Sequence, residues 1–115
     1  MEDADMNLAL KASVFATVGT AAQRCTSLRR IFLHESIYDT FVSKMAAAYK
    51  TISVGDPTNP DNFLGPLHTK KAVRDYLEGI EKAKSQGGKV ICGGKVIPGE
   101  GNYVEPTIIE ISHSA

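Results

Sequence analysis

The sequence contains no tryptophan, only two cysteines among its 115 residues, and no surplus of charge of either sign. Each absence removes a class of function. Thirteen Lys and Arg stand against thirteen Asp and Glu, and the balance holds on both sides of Pro57, six against six before it and seven against seven after it. No basic arm or acidic tail hides in the total, so neither nucleic acid nor an anionic membrane surface is expected as a partner. The longest early run without charge, Ala12 to Gln23, is broken by Ser13, Thr17, Gly19 and Thr20, far short of the ~20 apolar residues that span a bilayer. No transmembrane helix is expected. Glu2, Asp3 and Asp5 occupy the place where a secretory or transit peptide carries Lys or Arg, so the N-terminus is no recognisable address. Cys25 and Cys92, distant in sequence, read as two free thiols of a reducing compartment and not as a disulfide framework.

What is present suits one domain of modest size. At roughly 100 to 150 residues a chain can bury about two thirds of the surface it exposes when unfolded. Behind Asp3 and Asp5, Leu8, Ala12 and Phe15 fall on one helical face and Leu10, Val14 and Val18 on the next. That pattern predicts a helix over Met6 to Ala21, apolar around much of its circumference and therefore largely buried among several neighbours. Leu28 to Leu33 reads as a short strand. A second helix starts at a capping-box-like Ser36 and Asp39, with Ile37, Phe41, Met45, Ala48, Tyr49 and Ile52 at helical spacing up to Gly55, Asp56 and Pro57.

Ser53 to His68 is rich in proline, glycine and asparagine and reads as an ordered loop or crossover. Thr69 opens a third helix with Val73, Tyr76, Leu77, Ile80 and Ala83 inward and Glu78 and Lys82 as an exposed pair; Gly87 and Gly88 end it. Lys89 to Cys92 is a strand, and the extended run from Tyr103 to Ile111 is broken or confined to an edge by Pro106. The expected class is α/β, three helices with short strands of a mostly parallel sheet and no internal repeat.

Chemistry concentrates at one residue. Cys25 lies just past a helix in the string Gly19, Thr20, Ala21, Ala22, Gln23, Arg24, Cys25, Thr26. A nucleophilic cysteine reacts as the thiolate, which a nearby cation, backbone N–H groups and exposure favour. Arg24 is the candidate cation, and a small buried hydrophobe is the competing reading of Cys25. Cys92, closing the apolar run Val90, Ile91, Cys92, reads as core. His34, His68 and His113 have no ligand spacing among themselves or with the cysteines, so no metal site is expected, and His34 and His113 are expected to face solvent. No G-x-G-x-x-G or G-x-x-x-x-G-K pattern is present to cradle a phosphate.

The string from Gly19 to Thr26, followed by Arg29, Arg30, Ile31, Phe32, Leu33 and His34, resembles the active-site cysteine region of the aldehyde dehydrogenase superfamily. Glu2 to Asp5, Val54 to Pro57, Gly65 to Thr69, Gly93 to Lys95 and Asn102 to Thr107 are similar, in the same order, to the antiquitin branch, the α-aminoadipic semialdehyde dehydrogenases. The resemblance implies that residues 1–115 are part of the catalytic domain of an NAD-dependent enzyme, with the NAD-binding domain outside this sequence. Cys25 falls on the nucleophile. In the family's mechanism its thiolate attacks the aldehyde, the thiohemiacetal passes a hydride to NAD⁺, and water releases a carboxylic acid; the Cys25 N–H is one oxyanion donor.

The resemblance further implies that Arg24 contacts the distal carboxylate of an ω-semialdehyde; the alternative is that it pairs with a carboxylate of the scaffold. Gln23 and Thr26 are expected to set loop geometry, and Gly65 and Pro66 match a turn near the cofactor side of the cleft without offering an NAD ligand. The family's general-base glutamate, oxyanion asparagine and ribose-binding glutamate have no counterpart in this sequence. The expectations are therefore an inactive isolated chain and a parent enzyme that is an intracellular homotetramer, cytoplasmic or mitochondrial, acting on a small aldehyde. A short natural assembly domain and a thiol-reactive domain using Cys25 without hydride chemistry are the competing classes.

Overall fold

The fold is seen in a computed structural model that describes residues 1–112; His113, expected to face solvent, lies outside them. Three helices are formed, α1 (Met6–Val18), α2 (Glu35–Lys50) and α3 (Lys70–Ser85), together with two short strands, β1 (Lys89–Cys92) and β2 (Ile108–Glu110). Each helix start is chemically specified. Asp5 accepts the Leu8 N–H and Thr69 accepts the Ala72 N–H, in both cases as side-chain N-caps. At α2 the cap is His34 and not the expected Ser36: the His34 imidazole accepts the Ser36 N–H at 3.2 Å, and Glu35 fills the first turn where the helix dipole favours a carboxylate. His34 itself is exposed, as expected.

The ends follow their residues as well. Past α3 the Gly88 N–H reaches the Ala83 carbonyl and the Gly87 N–H the Lys84 carbonyl, a Schellman arrangement that needs the left-handed Gly87, φ 90°. Helix α2 stops at Lys50, before the glycine and proline expected to end it, and Thr51 folds back onto the Ala48 carbonyl. Helix α1 ends at Val18 and gives way to a tight turn, Gly19–Ala22, where a helix to Ala21 was expected. On α3 the ion pairs are Lys71 with Asp75 and Lys84 with Glu81, in place of Glu78 with Lys82.

The core is small. Val18 of α1 meets Phe41, Met45 and Tyr49 of α2, with Cys92 and Ile108 packed against them from the sheet. The Tyr49 hydroxyl donates to Thr17 Oγ1 at 2.6 Å and so ties the two helices at their polar margin. Helix α3 contributes Ile80, while Leu77, expected inward, is 40% exposed. Helix α1 departs furthest from expectation, since Val18 is its one buried residue and Leu8 and Phe15 are 66% and 60% exposed. Its apolar faces are real, but among the described residues the face through Leu10, Val14 and Val18 packs against the core while Leu8 and Phe15 stay mostly exposed.

The sheet is α/β in context but its sense differs from the parallel one expected. Strands β1 and β2 pair antiparallel, Lys89 opposite Glu110 and Val90 opposite Ile109, with a bulge before Cys92 meets Ile108. The reason lies in the connection: a parallel pair needs a crossover, usually helical, and the residues between Cys92 and Ile108 form no helix. They fold instead as an excursion held by an antiparallel bridge between Val96 and Val104, and Pro106 interrupts the extended run as expected. A parallel bridge joins Val54 to Leu64 within the proline-rich loop. Leu28 to Leu33 forms no strand. Its backbone turns back along α1, where the Leu28 N–H meets the Ala16 carbonyl at 2.9 Å, and Phe32 is 77% exposed. No helix among the described residues is long and apolar enough to cross a membrane.

Candidate active site

Three successive residues after α1, Thr20, Ala21 and Ala22, carry left-handed backbone with φ of 54°, 53° and 58°. None is glycine, and a left-handed residue with a Cβ costs roughly 1–2 kcal/mol. Strain of this kind persists only where surrounding contacts impose it, and it collects at functional sites. The segment it introduces is the one that carries Cys25.

Cys25 sits in a reverse turn whose two ends are bonded twice. The Ser27 N–H donates to the Arg24 carbonyl at 3.2 Å, and the Arg24 N–H donates to Ser27 Oγ at 3.2 Å. Arg29 adds a clamp from outside, its guanidinium donating to the carbonyls of Arg24 and Ser27 at 3.0 Å each. Cys25 and Thr26 therefore occupy the two central positions of the turn. The Cys25 side chain is exposed and unoxidised, and its N–H makes no hydrogen bond among the described residues. The buried-hydrophobe reading of Cys25 does not fit this placement. Ser27 escaped the sequence reading; a serine three residues after the start of a turn is the signal that points to it.

Arg24 does not pair with a scaffold carboxylate among the described residues. Its guanidinium carbon lies 5.7 Å from the centre of the Phe15 ring, a cation–π contact, and close over Gly19, where a Cβ would come within 3.9 Å of it. Gln23 behaves as a loop-setting residue. Its Oε1 accepts the His68 N–H at 2.9 Å, and its Nε2 donates to the carbonyls of Thr20 at 3.0 Å and Pro66 at 3.4 Å. The turn at Gly65 and Pro66 is thereby brought against the cysteine loop.

Cys92 is half-buried and free, packed against the core as expected, and burial pushes its thiol above the usual cysteine range. It lines an open depression of about 370 Å³ with Tyr49, Lys50, Gly93 and Glu105. A second, almost wholly apolar depression of about 290 Å³ lies between Phe15 and Phe63. Cys25 borders neither; its side chain stands exposed at the surface. No group of three His, Cys, Asp or Glu among the described residues could hold a metal ion. The described residues also form no phosphate cradle: the turn between Cys92 and Val96 has no helix behind it, and the sheet has no parallel pair whose ends open a crevice.

Comparison with known proteins gives the family. The family model described as "Aldehyde dehydrogenase family" matches residues 1–114. Aldehyde dehydrogenase family 7 member A1 of Brassica napus is 54% identical over 115 residues, covering 100% of this chain and 23% of the relative. Alpha-aminoadipic semialdehyde dehydrogenase of Rattus norvegicus is 55% identical over 108 residues, 94% of this chain and 20% of its own length. Among solved structures, a putative aldehyde dehydrogenase from Burkholderia cenocepacia superposes with a TM-score of 0.95 at 32% identity, over 99% of this chain and 24% of that one. An NAD⁺ complex of an aldehyde dehydrogenase from Bacillus cereus gives 0.91 at 28% identity, over 95% and 22%. The chain thus spans about a quarter or less of the length of the relatives it matches.

Proposed function

Since the chain belongs to the aldehyde dehydrogenase family, we propose that it is the nucleophile-bearing segment of the catalytic domain of an NAD-dependent aldehyde dehydrogenase. The substrate class is an ω-semialdehyde such as α-aminoadipic semialdehyde, as the names of its relatives suggest. One observation carries the reading. Cys25 stands exposed at the crest of a turn locked by Ser27 and Arg29, with its own N–H unbonded.

That arrangement suits a single covalent step. The Cys25 thiolate attacks the aldehyde carbon, a C–S bond forms, and the carbonyl π pair moves onto oxygen as an alkoxide. On this reading the unbonded Cys25 N–H is the group that donates to that oxygen. Arg24, with no carboxylate partner among the described residues, is the substrate-binding candidate for the distal carboxylate. In the complete enzyme a bound NAD⁺ would supply the hydride acceptor. The described residues form no dinucleotide cradle, and on this reading NAD binding, the water-activating base and the rest of the oxyanion hole are contributed by other parts of the complete enzyme.

The complete enzyme is read as an intracellular homotetramer, cytoplasmic or mitochondrial, acting on a small aldehyde without nucleic acid or membrane as partner. The isolated 115-residue chain is inactive on this reading. Two assays test it: NADH formation with the semialdehyde by the isolated chain, expected to be nil, and by the complete polypeptide with Cys25→Ala, expected to fall at least about a thousandfold. Turnover by the isolated chain, or a Cys25→Ala enzyme that keeps its rate, overturns the proposal.

A further inference from the structure

The Gln23 carboxamide holds two loops together with three hydrogen bonds, two donated by Nε2 and one accepted by Oε1. Nε2 closes the left-handed turn onto the Thr20 carbonyl and crosses to the Pro66 carbonyl, while Oε1 takes the His68 N–H. The orientation of the amide is fixed by its partners. Flipped, it would set an NH₂ against an N–H and an oxygen against two carbonyls. A glutamate, lysine or apolar side chain cannot make all three bonds.

The geometry points to Gln23 as the positioning residue of the nucleophile: it holds the strained Thr20–Ala22 turn closed and pins the Cys25 turn to the segment Pro66–His68. The proposal rests on the reading of Cys25 as the nucleophile. Gln23 does not touch the reacting atoms; it acts through the backbone, since only Arg24 separates it from Cys25. Without the side chain, the backbone bond from the Gln23 N–H to the Thr20 carbonyl at 3.1 Å remains, but three left-handed residues with Cβ atoms then relax toward ordinary backbone because the tie to Pro66 and His68 is gone. Release of the clamp then moves the Cys25 N–H and thiol together, and misplacement on the order of 1 Å costs about a hundredfold in rate.

The test uses the complete polypeptide that carries this segment, with Gln23→Ala, Gln23→Glu and Cys25→Ala. Gln23→Ala is expected to lower kcat about ten- to a hundredfold while KM for the semialdehyde stays within about twofold, because the clamp holds the attacking group and not the substrate. Gln23→Glu matches the size of glutamine. Its carboxylate keeps the His68 bond but faces the Thr20 and Pro66 carbonyls without a proton, so its rate relative to the unsubstituted enzyme climbs as pH falls and the carboxyl becomes a donor. A role in folding alone gives no such pH profile. If Gln23→Ala does not fold, Gln23→Glu carries the test. A Gln23→Glu rate ratio flat with pH and within about twofold of unity, alongside an inactive Cys25→Ala, overturns the positioning role and leaves the nucleophile standing. Activity in Cys25→Ala overturns the reading beneath it.

Discussion

Tyr76 and Thr107 meet hydroxyl to hydroxyl at 2.9 Å and hold α3 to the segment that leads into β2. Tyr76 also donates to the Glu105 carbonyl at 2.9 Å, and Thr107 Oγ1 accepts the Gly94 N–H at 2.9 Å. The pair thus ties α3 to two backbone segments of the excursion at once, at Gly94 and at Glu105. Tyr76→Phe removes one donor and is expected to cost about 1 kcal/mol, while Thr107→Val strands the Gly94 N–H in a partly buried place and is expected to cost about 1–3 kcal/mol. Urea unfolding followed by circular dichroism measures both. Equal losses, or none, would show that the Thr107 oxygen does not organise the turn.

The glycine next to that turn is fixed by space as well as by angle. Gly93 has φ 78°, and a Cβ there would stand 2.3 Å from the Pro106 carbonyl oxygen and 2.7 Å from Thr107 Oγ1. Backbone cannot yield as a flexible side-chain tip does. Gly93→Ala is therefore expected to destabilise the chain by about 2 kcal/mol or more, read as a drop in Tm. Gly79→Ala is the control, since nothing lies within 4 Å of its added methyl and alanine favours a helix interior. A Gly93→Ala chain as stable as the parent would mean that the excursion is not held as described.

Much of this was legible along the chain, and the losses have physical causes. The Thr69 cap and the Gly87–Gly88 stop are local chemistry, complete within a few residues, and they read correctly. The apolar faces of α1 were legible too, but burial depends on what else is present, and Leu8 and Phe15 stay mostly exposed among the described residues. Leu28 to Leu33 has the composition of a strand but forms none, because strand pairing is not a local property. The left-handed turn is the deepest omission. Thr20, Ala21 and Ala22 carry no glycine or asparagine to announce it, and the Gln23 that closes it is itself tied to Pro66 and His68, more than forty positions away.

Alkaline pH is expected to unfold the chain. Burial pushes the Tyr49 and Tyr76 hydroxyls above the ordinary tyrosine range, and Tyr38, chiefly through the hydrogen bond it donates to Glu110, is pushed up to about 12. Each raised group favours the neutral form in the fold, so on raising the pH the unfolded chain loses its protons first. Stability from these groups is fully present below about pH 10 and is lost as pH climbs through the folded values. Cys92, raised by burial in the same sense, starts the decline about one unit earlier. Tm measured from pH 7 to 12 is expected to be unaffected by these groups at neutral pH and to fall steadily above about pH 9. Tyr38→Phe should flatten the upper part of that fall, and a Tm that holds to pH 12 would contradict the assignment.

The two thiols should separate cleanly toward an alkylating agent. Alkylation needs a thiolate and a path to it. Cys25 is exposed at the crest of its turn, whereas Cys92 is half-buried against the core with its ionisation pushed up by desolvation. Limiting iodoacetamide at pH 8 is therefore expected to modify Cys25 first and Cys92 only slowly, with peptide mass spectrometry giving the two rates. Mild urea should raise the Cys92 rate toward that of Cys25, because the core that shields it opens while Cys25 has little shielding to lose. Equal rates in native buffer would remove the structural distinction between the two cysteines, and with it the reason for assigning the chemistry to Cys25 on geometry.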